Sequence, residues 1–529
     1  MKHFRTLLIM LLSLIALSTP LFARGGQSSG SSADGRVSLS AVFITHELTR
    51  DITTFTWLKE LEQKAGVSVK WDQSSADWSD KKAALFASGD IPDMIFGGGA
   101  GGSDFSVYNG LFADLVPLIE TSAPNVRKMF SDKPEIKAMV TQLDGKIYSL
   151  PQYVNYPVPV VPSMLINKTW LDRLNLRAPT NWDELKAVLI AFRDNDANGN
   201  GDKTDEIPMD FIGMGGTWSP APLIGALGLP YSNGSQYFVE DGKVKDMFFD
   251  ERYRTFMLFL RDLYAENLIN REVVTHDYGQ YQSIARGNGR YAKVGFTFAW
   301  TPGDRVGEEL ADQYIPIAPL KYKANSAYTV FYSDDRQMQN YILDRWSLSA
   351  RTRDKEAAMR FADQFYDGVN AMQAIYGGIT DGFVQQNSDG SLEVLPPSDP
   401  AMNAGVWKWT NGFVNNTPAY VPDYLKVTFD SDMVVAANSR GPYMEALKLY
   451  NSSNTWPLAL KYSSEDNQTL AMLEADVGSI RARWAAWLVG EGNIGAEWND
   501  YVKSAQDSGL NRILAIHQKA FDSYLQSMK

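Results

Sequence analysis

A strand–helix–strand–helix–strand succession near the start of the chain does most to limit its fold. Val37–Thr45 (VSLSAVFIT) has strand composition, and a helix-length stretch follows to Ala65. Val67–Trp71 (VSVKW) reads as a second strand, Asp80–Ala87 as a helix, and the apolar run Met94–Phe96, just after Pro92, as a third strand. Elements alternating in this way build βαβ units, because a parallel strand pair needs a long crossover and a helix is the usual one. The expectation is an α/β protein with a mostly parallel sheet. Beyond residue 160 helix-length patterns dominate. Tyr253, Phe256, Met257, Leu260 and Tyr264 share one helical face, which reads as core packing, and Trp498–Ser523 reads as one or two amphipathic helices. No internal repeat is present, which argues against a solenoid or propeller.

The chain has 529 residues, more than a single hydrophobic core serves, so at least two domains are expected. Acidic residues outnumber basic ones by 62 to 50, for a net charge of −12. That balance argues against a nucleic-acid partner, which needs a surplus of Lys and Arg on one face. There is no cysteine. Disulfides, thiolate nucleophiles and Cys-ligated zinc are thereby excluded, and His3, His46, His276 and His517 are too scattered to form a His-rich metal centre.

The first residues, MKHFRTLLIMLLSLIALSTPLFAR, carry a basic start, an apolar run from Leu7 to Leu17, and Leu21 and Ala23 at −3 and −1 of a cleavage site. The run is too short for a bilayer, which takes roughly 20 residues. A signal peptide is expected over residues 1–23, followed by a flexible Gly/Ser linker over 24–35. The mature chain is expected not to span a membrane. Without a cysteine to carry a lipid anchor, it is expected in a periplasm.

The sharpest local signal is Asp194–Pro208 (DNDANGNGDKTDEIP). Asp196, Asn198 and Asn200 alternate as in an EF-hand loop, Gly201 permits the sharp bend, and Asp202 offers its backbone carbonyl. Asp205 and Glu206 supply closing carboxylates slightly early for a standard EF-hand. Calcium binds about six to eight oxygens, and alternate residues of a tight turn converge on one point. A structural calcium site is the expectation. The alternative is a solvated acidic turn, since Asn-Gly pairs favour turns without a metal.

Other motifs carry less. Gly97–Gly102 (GGGAGG) satisfies a dinucleotide-binding pattern, but Ser103–Asn109 looks like loop rather than helix. It reads as a glycine loop that a ligand or an opposite lobe approaches closely. Gly26, Ser28 and Gly30 match a serine-hydrolase pattern inside the linker, without the strand and helix that motif needs. No P-loop or HExxH motif is present, and nothing singles out a glycosidase carboxylate pair. Tryptophans are more informative. Trp218 (GGTWSP), Trp300 (FAWTPG), and Trp407 with Trp409 (AGVWKWTNG) sit beside turn residues. Such rings suit the C–H faces of sugars, and they equally suit a core.

FASGDIPDMI (Phe86–Ile95), LDGKIYSLPQY (Leu143–Tyr153), INKTWLDRLNLRAPTNWDEL (Ile166–Leu185) and the Asp196–Pro208 loop appear in one characteristic order. DKEAAMRFADQFYD (Asp354–Asp367) and EWNDYVKSAQDSGLNRILAIHQKAFD (Glu497–Asp522) extend the pattern to the C-terminus. Together they make the chain resemble the extracellular solute-binding proteins of ABC importers, family 1, especially the carbohydrate-binding branch that includes alginate-binding proteins. The resemblance implies a two-lobed periplasmic binding protein fold of class II type, with a helix-rich second lobe and hinge segments between lobes. It implies a monomer without catalysis that closes over a carbohydrate, an oligosaccharide, and delivers it to ABC permease transmembrane subunits. Residues 36–154 and 330–395 are expected in the first lobe, and 155–329 and 396–529 in the second. Gln152 and Tyr153, in the hinge-region motif, with Trp218, Trp300, Trp407 and Trp409, are the implied sugar contacts. Asp196, Asn198, Asn200, Asp202, Asp205 and Glu206 are the implied calcium ligands. A secreted polysaccharide-degrading enzyme and a chemoreceptor-coupled sugar sensor are the competing readings.

Overall fold

The computed structural model describes residues 35–76, 78–399 and 402–527. The expected signal peptide and nearly all of the expected linker lie outside the described residues.

The opening alternation is realised as strand Val37–Ile44, helix Thr56–Ala65, strand Val67–Ser74, helix Trp78–Ser88 and strand Met94–Phe96. Helix Thr56–Ala65 buries Trp57, Leu58, Leu61 and Ala65 and stops at Gly66, whose left-handed φ of 70° ends the helix without a Cβ penalty. These strands belong to a six-stranded sheet in the order Ala419–Val421, Ser149–Val154, Tyr341–Leu348, Met94–Phe96, Val37–Ile44, Val67–Ser74. Strand Tyr341–Leu348 runs antiparallel to both of its neighbours. The other pairings are parallel.

A second sheet of four strands, ordered Tyr314–Pro316, Ser163–Asn167, Val294–Ala299 and Ile207–Asp210, forms the other lobe. Helix Glu251–Ala265 packs on its core, with Tyr253, Phe256, Met257 and Leu260 fully buried as their spacing demands. The chain ends in two helices, Ile494–Asp507 and Leu510–Ser527. Separate apolar clusters lie in the two lobes. A third joins Val154, Tyr156 and Val158 to Ala371, Ile375, Met433 and Ala436 beneath the crossings between them.

The expected lobe boundaries need two corrections. Strand Ala419–Val421 pairs with Ser149–Val154 in the first sheet, so the first lobe continues well past residue 395. Phe331 and Tyr332 still belong to the second lobe: Phe331 N donates to Gly225 O, and the Tyr332 hydroxyl donates to Pro162 O. The return crossing therefore lies after residue 332. A three-residue edge strand has too few side chains to announce which sheet it joins; its partner is chosen by tertiary pairing.

The glycine loop after strand Met94–Phe96 is filled by the chain itself. A Cβ on Gly97 would lie 2.1 Å from Ile44 O, and one on Gly98 would meet the Arg345 guanidinium at 2.6 Å. The expected loop that follows is in part a short helix, Asp104–Val107.

Candidate functional site

Three segments cross between the lobes, and two buried side chains tie them together. Asp335 accepts from Val161 N at 2.7 Å, Asn233 N at 3.1 Å and Ser333 Oγ at 2.6 Å. Burial pushes its carboxyl up to about 6, against the pull of those three donors. Arg440, 1% exposed, donates to Val160 O at 2.6 Å, Val161 O at 2.7 Å and Trp300 O at 2.9 Å. Its guanidinium also lies 5.1 Å from the centre of the Trp300 ring.

Next to these crossings a cavity of about 310 Å³ opens between the lobes. The second lobe contributes Trp218, Tyr278, Trp300 and Asp304, and the first contributes Lys408, Trp409, Val414 and Asn415. Tyr156, Met338 and Gln339 come from the crossing segments, and Asp432 from helix Ser431–Ser439. Trp218, Trp300 and Trp409, three of the residues singled out from sequence, therefore meet around one space. Trp300 is held on its edge as well as its face: Nε1 donates to Asp432 Oδ2 at 2.8 Å, while Thr301 Oγ1 donates to Asp432 Oδ1 at 2.8 Å. Trp409 stacks on His46 with ring centres 4.5 Å apart.

Three other residues do not reach the cavity. Trp407 and Trp409 sit two apart on helix Ala404–Asn411, which places them about 200° apart around its axis. Trp409 faces the cavity, and Trp407 turns to Phe383, 5.0 Å away between ring centres. Gln152 lies in strand Ser149–Val154, all of whose residues are buried. Its Nε2 donates to Val414 O at 2.7 Å and Thr417 O at 3.1 Å, so it holds the loop that brings Val414 and Asn415 to the wall. Val414 has φ of 46°, a conformation that a β-branched residue adopts only when its surroundings impose it. Tyr153 sits in the first-lobe core with its hydroxyl on Asp423 Oδ1 at 2.8 Å.

The wall also holds charge that sequence reasoning missed. Burial pushes the Asp304 carboxyl up to about 6, Asp432 adds to the rise, and Arg286 opposes it. Burial raises Asp432 too, with Lys408 opposing. The Lys408 ammonium lies 3.9 Å from Asp432 Oδ2. Lys408 stands between the two tryptophans already noticed, but Asp304, Tyr278 and Asp432 carry no local signal.

Away from the cavity, the Asp/Asn loop joins helix Trp182–Asp194 to strand Ile207–Asp210. Asp196 accepts from the backbone N–H groups of Gly199, Asn200 and Gly201 at 2.7–3.0 Å. The carboxamides of Asn198 and Asn200 each donate to Asp205 at 3.0 Å, and Asn198 N donates to Glu206 Oε1 at 3.1 Å. Glu206 Oε2 is buried without a partner, and burial raises the Glu206 carboxyl, with Asp205 adding to the rise. Asp202 turns its carboxylate to Thr204. Among the described residues no three His, Cys, Asp or Glu side chains are arranged as a metal cage. The donor set, with its two carboxamides and an orphaned buried carboxylate oxygen, nonetheless suits a hard cation.

The model of the family described as bacterial extracellular solute-binding protein matches residues 53–366, more than half of the chain. The chain belongs to this family. Over 491 residues this solute-binding protein is 30% identical to the fructooligosaccharide ABC transporter substrate-binding protein FusA of Streptococcus pneumoniae serotype 4, covering 88% of this chain and 86% of FusA. The solved FusA EF-hand mutant in complex with fructo-nystose superposes with a TM-score of 0.83 at 27% identity, over 93% of this chain and 100% of FusA. An HMO-binding solute-binding protein of Bifidobacterium longum infantis gives 0.82 at 27% identity, over 93% of this chain and 99% of that one. The alginate-binding protein AlgQ2 shares the fold, with a TM-score of 0.66 at 20% identity over 92% and 98% of the two chains. Among the described residues, no helix of this solute-binding protein is long and apolar enough to cross a membrane.

Proposed function

We propose that this solute-binding protein binds an oligosaccharide in the interlobe cavity and hands it to the transmembrane subunits of an ABC importer. The observation that carries the reading is the meeting of Trp218, Trp300 and Trp409, drawn from distant parts of the chain, around one space between two lobes. Aromatic faces take the C–H faces of pyranose and furanose rings, and the Asp304 carboxylate accepts hydroxyl hydrogens. The relatives named for fructooligosaccharides and HMO support the ligand class. Binding favours the closed arrangement by its differential affinity for it, and the permease reads that arrangement.

Calcium in the Asp/Asn loop belongs to the same proposal, with Asp196, Asn198, Asn200, Asp205 and Glu206 as side-chain ligands and Asp202 through its carbonyl. The ion would stiffen the connection between helix Trp182–Asp194 and strand Ile207–Asp210. Export through residues 1–23 and a periplasmic location complete the proposal, and cell fractionation tests both.

The central test is titration of the purified protein with an oligosaccharide panel, followed by intrinsic tryptophan fluorescence, with product analysis alongside. Saturable 1:1 binding without new reducing ends is expected. Absence of binding across the panel refutes the reading.

A further inference from the structure

The charges of the cavity wall say more about the ligand than the tryptophans do. This step rests on the carbohydrate reading above and concerns which sugars the cavity accepts. Two carboxylates, Asp304 and Asp432, face it, and among the described residues Lys408 is the one cationic side chain lining it. Lys408 is not free to meet a ligand. Its Nζ lies 3.9 Å from Asp432 Oδ2, and the two side chains are 9% and 4% exposed. Asp432 in turn is occupied by Trp300 Nε1 and Thr301 Oγ1.

Asp304 is left over. The nearby Gln282 amide satisfies its surroundings when its nitrogen donates to the carbonyls of Asp304 and Arg305 and its oxygen accepts from the Tyr278 hydroxyl at 2.7 Å. In that orientation it does not serve the Asp304 carboxylate. The cations behind the wall have other partners. Arg305 pairs with Asp210 in the lobe interior, Arg286 donates to the Asp304 backbone carbonyl at 2.7 Å, and Arg440 is spent on the crossing segments. His46, behind Trp409, has its pKa lowered by burial and stays neutral. Burial, and after it the neighbouring Asp432, raise the Asp304 carboxyl, and Arg286 and Arg305 offset only part of that rise.

We infer that the cavity selects neutral oligosaccharides, with Asp304 accepting ligand hydroxyls, and rejects uronate sugars. A ligand carboxylate placed on the tryptophan platforms would add a third anion to a half-buried space that supplies one committed ammonium. Two carboxylates sharing such a site cannot both stay ionised at little cost, and the low local dielectric magnifies the repulsion. A neutral sugar brings only hydroxyl dipoles, whose hydrogens Asp304 is placed to accept.

Calorimetric titration of the wild-type protein at pH 7.5 with two panels tests this inference. One panel holds neutral fructo-, malto-, cello-, xylo-, manno- and galacto-oligosaccharides; the other holds oligomers of mannuronate, guluronate, galacturonate and glucuronate. A neutral ligand bound at least 100-fold more tightly than any uronate is expected. Asp304→Asn should weaken the neutral ligand more than tenfold and narrow that ratio. A uronate bound as tightly as the best neutral sugar overturns this inference and leaves the carbohydrate reading standing. Binding in neither panel overturns that reading, and this inference with it. A ratio unchanged in a folded Asp304→Asn variant overturns the role given to Asp304.

Discussion

Replacing Gln152 by Leu separates a sugar contact from a support that acts at a distance. Gln152 is 1% exposed and donates Nε2 to Val414 O and Thr417 O. Leucine removes both donors and leaves two buried carbonyls without partners, each costing about 1–3 kcal/mol. Part of that is recovered, because Gln152 Oε1 is itself buried without a partner and disappears with the amide. A net loss of about 2–4 kcal/mol is expected. For a unit of roughly 150–250 residues each kcal/mol moves the midpoint by roughly 2–4 °C, so scanning calorimetry should show a fall of roughly 4–16 °C. Released from Gln152, Val414 is free to leave its φ of 46°, and the loop carrying Asn415 loosens with it. Oligosaccharide affinity should then fall only a few-fold. An unchanged melting temperature with an affinity loss of tenfold or more would refute the argument and return Gln152 to the role of direct sugar ligand.

The tryptophans should divide in the same pair of assays. Trp218→Ala, Trp300→Ala and Trp409→Ala should each weaken oligosaccharide binding more than tenfold, whereas Trp407→Ala should lower the melting temperature and change affinity less than twofold; similar affinity losses in all four would contradict the placement of Trp407. Burial pushes the Asp304 carboxyl up to about 6 in the folded state, above its ordinary value of 3.8. The folded state therefore holds the proton more tightly, and the stability this contributes is full below about 4 and lost as pH rises through about 6. Asp304→Asn should accordingly gain melting temperature over wild type at pH 8 relative to pH 4, and a pH-independent difference would rule this out. Calcium at 100 times its dissociation constant should stabilise by about 2.7 kcal/mol. That gain should vanish with chelator and in Glu206→Gln, and a melting temperature indifferent to calcium in the wild type would dismiss the site.

Periodicity made the first lobe legible because each βαβ unit buries residues close together in sequence. The spacing of Val37–Phe96 is enough to place three strands and two helices, and the Tyr253–Tyr264 stripe is enough to bury one face of a helix. Edge strands were not legible. Tyr314–Pro316 and Ala419–Val421 are three residues each, and neither has room for a pattern. At the cavity, turn-flanked tryptophans were conspicuous, but a turn does not say which way a ring points. Helix geometry sorted Trp409 from Trp407, and strand burial removed Gln152 and Tyr153.

What the sequence alone determines here is local: element types, the absence of thiol chemistry, the Asp/Asn turn, and the family pattern spread along the chain. Its acidity is likewise a sum over residues, blind to position. Only the tertiary structure decides where that acidity counts. Asp304, Lys408 and Asp432 lie over 120 residues apart at their extremes and become one charged wall because three crossing segments bring two lobes together. Electrostatic interaction depends on distance in space and on burial, and chain separation constrains neither.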